Sequence, residues 1–328
     1  MRTRTLLLLL AALLAPGPAA FAVSDNGTTA GAFLRLPASA AYAGMGDAGV
    51  AVSAGSPAIF INPAGLASVR GGFASFSHAA WLDSLTFNSV SAAVDTPYGG
   101  VVGVGVRYLS YGKMDAFDNT GAAAGSISPR DLAAEAGWGA ELDDGLSAGF
   151  SVRYISSRIK RSASACAADA GVIARAGRAY FGAALQNAGT GLKFGDEEYP
   201  LPMTLKLGAG LPYGRALLGA VDLNIVRGSN PWLALGGKYT VMVRKSAALI
   251  LRAGYNTASG DTGGVNGLAF GLSLSLPDTV FDYSLRTMGE LGPTHHLGIS
   301  FRWDVAYPET VEPYGPPPKG RVTRAVRR

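Results

Sequence analysis

Leu132-Ala133-Ala134-Glu135-Ala136-Gly137-Trp138-Gly139-Ala140-Glu141-Leu142 decides the fold. Its even positions are all apolar, and its odd positions are Ala, Glu or Gly. Successive side chains of a strand point to opposite faces, so this spacing gives one oily face and one small or charged face. The next stretch repeats it: Leu146, Ala148, Phe150, Val152 and Tyr154 oppose Ser147, Gly149, Ser151 and Arg153. Far downstream, Leu268, Phe270, Leu272, Leu274 and Leu276 oppose Ala269, Gly271, Ser273 and Ser275.

Carried through residues 71–303, this parity predicts a closed transmembrane β-barrel of about 14 antiparallel strands. The predicted strands cover 71–80, 86–95, 99–110, 130–142, 145–158, 163–176 and 177–188 in the first half. In the second half they cover 201–212, 214–226, 231–243, 246–256, 264–276, 278–288 and 293–303. Charges test the assignment, because Lys or Arg facing lipid at mid-membrane costs about 2–4 kcal/mol. Arg107, Glu135, Arg153, Asp169, Lys206, Asp222, Lys238, Arg252, Asp282, Arg286 and Arg302 all share parity with the small or polar residues of their strands, so all should face the lumen. A soluble sandwich would also segregate charge, so parity favours the membrane without demanding it.

Connections alternate in length. Tight turns fall at Thr96-Pro97-Tyr98, Asp143-Asp144-Gly145, Ala176-Gly177-Arg178, Pro212-Tyr213-Gly214, Arg244-Lys245 and Leu276-Pro277-Asp278, and longer loops at 111–129, 189–200 and 257–263. Outer-membrane barrels have short periplasmic turns and long outer loops, which places both termini in the periplasm. Trp81, Tyr98, Tyr108, Trp138, Tyr154, Tyr213, Trp232, Tyr255 and Trp303 lie near the predicted strand ends, where interfacial girdles belong.

The ends differ from the body. Arg2, Arg4, the apolar run Leu6 to Leu14 and Ala20-Phe21-Ala22 read as a signal peptide over 1–22. Residues 304–328 hold Pro316-Pro317-Pro318 and five basic residues and read as a disordered basic periplasmic tail. With these set aside, a formal charge of +5 shrinks to near neutrality, so no nucleic-acid partner is expected. The single cysteine, Cys166, leaves no internal disulfide and no multi-cysteine metal site.

Residues 23–70 break the alternation and are expected to form a plug or hatch, with Gly44-Met45-Gly46 and Asn62-Pro63-Ala64-Gly65 as its marked positions. Gly44 to Gly49 matches G-x-G-x-x-G, but no strand-turn-helix context surrounds it, so close packing against a barrel wall explains the glycines better than a nucleotide does. The histidines are His78, His295 and His296, too few and too far from any paired nucleophile to suggest a constellation, so no catalytic residue, metal or cofactor is expected.

The stretches Gly31-Ala32-Phe33-Leu34-Arg35-Leu36, Ala43-Gly44-Met45-Gly46-Asp47-Ala48, Asn62-Pro63-Ala64-Gly65-Leu66-Ala67 and Leu185-Gln186-Asn187-Ala188-Gly189 together resemble PorV/PorQ family outer-membrane proteins, distant relatives of the FadL long-chain fatty-acid transporter. The last predicted strand is similar to the signal read by the barrel assembly machinery, through His296, Gly298, Phe301 and Trp303. The resemblance implies a 14-stranded barrel with an inserted N-terminal segment, embedded in outer-membrane lipid. It implies first a role in protein secretion or surface attachment of type IX kind, through binding of exported proteins or secretion machinery. The alternatives are a FadL-like channel admitting hydrophobic small molecules through a lateral opening, or a scaffold without substrate. The lumenal charges to watch are Glu135, Arg153, Asp169, Lys206, Asp222, Arg252, Asp282 and Arg302.

Overall fold

The computed structural model describes residues 28–303 apart from 82–83, 98, 245 and 260–265. The expected signal peptide, positions 23–27 of the expected plug, the basic tail, Tyr98 and Lys245 therefore lie outside the described residues.

Strands occupy β1 (Gly72–Ala80), β2 (Thr86–Asp95), β3 (Val101–Ser110), β4 (Met114–Phe117), β5 (Ala123–Ile127) and β6 (Arg130–Asp143). They continue with β7 (Leu146–Arg158), β8 (Ser162–Ala176), β9 (Ala179–Gly189), β10 (Leu192–Phe194), β11 (Glu197–Tyr199) and β12 (Thr204–Tyr213). The last are β13 (Leu217–Val226), β14 (Trp232–Arg244), β15 (Ala247–Asn256), β16 (Asn266–Ser275), β17 (Thr279–Met288) and β18 (Pro293–Trp303). All but β4, β5, β10 and β11 form one closed antiparallel ring of 14 strands. β1 closes it on β18, in register from Gly72↔Trp303 to Ala80↔His295. A side chain at Gly72 would overlap the Trp303 indole, so glycine lets the seam close.

Two of the expected loops hold structure of their own. The 111–129 connection carries the β4–β5 hairpin, and the 189–200 connection carries the β10–β11 hairpin. Both are too short to show an alternation over several residues. Several strands begin later than expected, among them β3, β9, β12 and β13, at Val101, Ala179, Thr204 and Leu217 rather than 99, 177, 201 and 214. Gly99, Gly100 and Gly177 have positive φ, and Pro200 and Pro202 lack the N–H a ladder needs.

The outward parity is oily all round. Val104 is 52% exposed on β3, Val152 57% on β7, Phe270 51% on β16 and Leu297 56% on β18. An apolar surface extending over the whole ring is far larger than soluble monomers expose, which separates this molecule from a soluble sandwich. Trp232 is an exception to the girdle expectation, sharing the lumenal parity of the buried Ala234 and Lys238. Trp81 precedes the β1–β2 connection and packs against an apolar cluster at the long-loop rim.

Candidate functional site inside the barrel

Residues 28–71 cross the lumen as short helical turns, Ala32–Arg35, Ala40–Ala43, Ser56–Phe60 and Pro63–Ser68, joined by bends. This segment approaches every stave of the ring. Starting at β1, Gly55 meets Phe73, Ser56 Oγ donates to Ser91 O on β2, and Arg107 Nη1 on β3 donates to Leu34 O at 2.9 Å. Pro63 lies on Gly139 of β6 and Gly149 of β7, and Asn62 Nδ2 donates to Val172 O on β8 at 3.1 Å. Gln186 Nε2 on β9 donates to Phe60 O and Ile61 O at 2.9 and 3.0 Å. Val50 sits on Gly208 of β12, while Asp222 Oδ2 on β13 accepts from Gly49 N and Val50 N at 2.7 and 2.9 Å. Met45 packs on Gly236 of β14 and Gly254 of β15, Gly44 on Gly271 of β16, and Ala40 on Gly298 of β18. On β17, Arg286 Nη1 reaches Asp47 Oδ2 at 2.6 Å. A segment that touches every strand of a closed ring lies inside it.

The marked positions of the segment thus acquire partners. Asn62 is fully buried; its Oδ1 accepts from Ala64 N at 3.1 Å, capping the turn that Pro63 opens, and its Nδ2 also donates to Val50 O. Gly65 packs directly on Ser53, and Gly46 has φ 64, with the β15 backbone at Tyr255 too close for a side chain. Asp47, in the left-handed region at φ 70, lies between Arg286 and Asn256, whose Nδ2 donates to both Gly46 O and Asp47 Oδ2 at 3.1 Å. Between the segment and β13–β15 remains a recess of only about 10 Å³, bordered by Tyr42, Met45, Val52, Leu218, Lys238 and Arg252, with room for about one water.

Two groups of lumenal charges are paired strand to strand. On one wall Arg107 Nε donates to Glu135 Oε1 at 3.1 Å, Arg153 Nη2 to Glu135 Oε2 at 2.6 Å, and Arg153 Nη2 to Asp169 Oδ2 at 2.5 Å. Arg153 also donates to Asn187 Oδ1, so one buried relay ties β3, β6, β7, β8 and β9 together. On the opposite wall Arg252 pairs with Asp282 at 3.5 Å and both bond Ser273. Lys206 and Asp222 also face inward, and Arg302 Nη2 donates to Leu276 O at the short-turn rim. Of the four expected assembly-signal residues, His296 and Gly298 share the lumenal parity, and Phe301 and Trp303 point outward. His295 Nδ1 bonds the Tyr283 hydroxyl on the outer face, while His296 is buried within.

Residue-level reading of the sequence missed a break in the wall. The β8–β9 register shifts between Ala168 and Ala170, and Asn187 takes a positive φ of 58. The β9–β12 ladder ends at Gln186↔Thr204; beyond it, Asn187 Nδ2 donates to Pro202 O at 3.2 Å in place of a strand pair. The N-terminal segment covers this place, with Ala30 N donating to Pro200 O at 3.0 Å and Gly31 against Leu201 and Leu192. Phe33, Leu34, Leu192 and Leu201 form an apolar cluster here with Ile155, Ala163, Ala165 and Ala167. Ala30 therefore lies at the long-loop rim, opposite the short-turn rim where β1 begins, β18 ends and both termini were expected.

No protein-family model matches the chain, and no curated protein sequence matches it. Its fold does match solved outer-membrane channels. The Pseudomonas putida toluene transporter TodX aligns with a TM-score of 0.55 at 10% identity, covering 87% of this chain and 100% of that one. A Pseudomonas aeruginosa FadL homologue aligns with a TM-score of 0.53 at 12% identity, covering 81% and 98%. At such identities the likeness speaks to the fold, which is that of FadL-type barrels; the PorV/PorQ resemblance gains no family match.

Proposed function

We propose that the chain is a non-enzymatic outer-membrane channel for hydrophobic small molecules, with residues 28–71 as its hatch. The carrying observation is the break at Asn187: the wall loses its ladder beside an apolar cluster whose inner side is occupied by the chain's own Phe33 and Leu34. An apolar solute entering at the long-loop mouth would find oily contacts there and, at the same level, the part of the wall held by fewest backbone bonds. The charged relays are internally paired, so they hold the wall and the segment together instead of lining a path for ions. The secretion reading, which the resemblance placed first, gives way because the fold neighbours are channels.

The test uses full-length protein in detergent and in proteoliposomes, with toluene and a long-chain fatty acid as probes. Both should bind, and Leu201→Asp, which sets a carboxylate in the apolar cluster, should abolish uptake while the barrel still shows the heat-dependent gel mobility of a folded one. Uptake unchanged in the folded Leu201→Asp protein would sink the reading. Absence of binding together with co-purified exported proteins would restore the secretion reading.

A further inference from the structure

At the long-loop rim β6 begins and β7 ends on cations. Arg130 and Arg158 are register partners across the β6–β7 ladder, and both are exposed on the outer face. The turn beyond β7 adds Lys160 and Arg161, also exposed. Like charges directly opposite each other on one face of an antiparallel pair repel, so this pairing is unfavourable unless an anion lies between them. Among the described residues no carboxylate forms an ion pair with any of the four. Asp131 has the opposite parity and accepts from the Tyr111 hydroxyl at 2.8 Å. Of the acids in the β10–β11 hairpin, which reaches Arg161 at Gly195, Glu198 accepts from Gly191 N and Glu197 from the Tyr199 hydroxyl, and Asp196 forms no ion pair with any of the four cations.

The surface below the cations is graded. Two residues in from the rim come Tyr108, Leu132 and Ser156, then Val106, Ala134 and Tyr154, then Val104, Ala136 and Val152, as the register sets them side by side. Cations above tyrosines above aliphatic side chains match a lipid with a phosphorylated headgroup and several acyl chains. Arginine suits that headgroup because its planar fork donates to phosphate oxygens two at a time.

We propose that this outer face of β3, β6 and β7 binds a phosphorylated glycolipid of the outer leaflet, of the lipopolysaccharide class. Its phosphates are held between Arg130 and Arg158, with Lys160 and Arg161 above. The inference rests on the outer-membrane placement and is independent of the solute carried.

Full-length detergent-solubilised protein is titrated with lipopolysaccharide, with phosphatidylglycerol vesicles and with inorganic phosphate. Lipopolysaccharide should bind best, and Arg130→Ala/Arg158→Ala should weaken it by about 10- to 100-fold, the loss expected for charge-assisted hydrogen bonds. Arg227→Ala, an exposed cation in the β13–β14 connection of the same rim, should leave it unchanged. If the double variant does not fold, Lys160→Ala/Arg161→Ala, in a turn outside the ladders, should show a smaller loss in the same direction. Undiminished binding in a folded double variant, equal loss in Arg227→Ala, or equal affinity for phosphatidylglycerol vesicles or free phosphate overturns the proposal. Toluene uptake by the same variants separates failure of this site from failure of the channel reading.

Discussion

Glu135 shows how a lumenal charge earns its place. Its two carboxylate oxygens accept from arginines on both flanking strands, Arg107 at 3.1 Å and Arg153 at 2.6 Å, and its side chain is wholly buried. Removing one partner of a buried ion pair leaves the others uncompensated, at a cost of about 3–5 kcal/mol. Glu135→Gln is therefore expected to destabilise the barrel by that order, read as a lower urea midpoint for unfolding in bilayers. A midpoint equal to wild type would mean the relay contributes nothing to the wall. Parity alone was enough to place Glu135, Arg153 and Asp169 inside, because facing lipid would be costly. It could not show that they touch, since contact depends on strand register, nor that Arg107 would also hold Leu34 O across 73 positions of sequence.

At the scale of the strand, small inward residues make room for the segment. On β7 the lumenal face runs Ser147, Gly149, Ser151, Arg153, and the Pro63 carbonyl carbon comes within 2.5 Å of where a Gly149 side chain would begin. Gly149→Val should therefore push Pro63–Ser68 off the wall without unfolding the barrel, whose ladder bonds are untouched. The expected readout is higher ion conductance in planar bilayers and faster tryptic cleavage at Arg70, while Phe150→Leu on the lipid side changes neither. Conductance and cleavage at wild-type levels in Gly149→Val would show that the strand glycine is not what seats the segment. The strands were legible because a period of two survives any tertiary context that is oily outside. Residues 28–71 carry no period: their turns are too short to repeat, and each is shaped by whichever stave it meets. Gly44 and Gly46 could be read as close-packing glycines, but their partners at Gly271 and Tyr255 could not. The break at Asn187 was hidden for a related reason, because a bulge adds one residue to a strand and leaves the composition on either side unaltered.

For the whole molecule the proposed channel raises the question of how much of residues 28–71 would have to move. Residues 40–71 are bonded to the wall through Asp222, Asn62, Gln186, Asn256, the Asp47–Arg286 pair and Arg70–Glu141 at 3.8 Å. Residues 28–39 have Ala30 on Pro200, Arg107 on Leu34 and Ser89 on Ala38. With each neutral hydrogen bond worth about 1 kcal/mol net and charged ones more, residues 28–39 can leave the wall more readily than residues 40–71. A covalent lock tests the division. A side chain built at Gly298 places its Cβ 3.2 Å from that of Ala40, a few tenths short of the roughly 3.5–4.5 Å a disulfide spans. Ala40→Cys/Gly298→Cys, with the exposed Cys166 replaced by Ser, should cross-link on oxidation. Toluene uptake should then continue at about the reduced protein's rate, because the lock holds the body of the hatch and leaves the mouth segment free. Uptake that stops on oxidation and returns with reductant would show instead that the body itself must swing out, against the weight of its bonds to the wall.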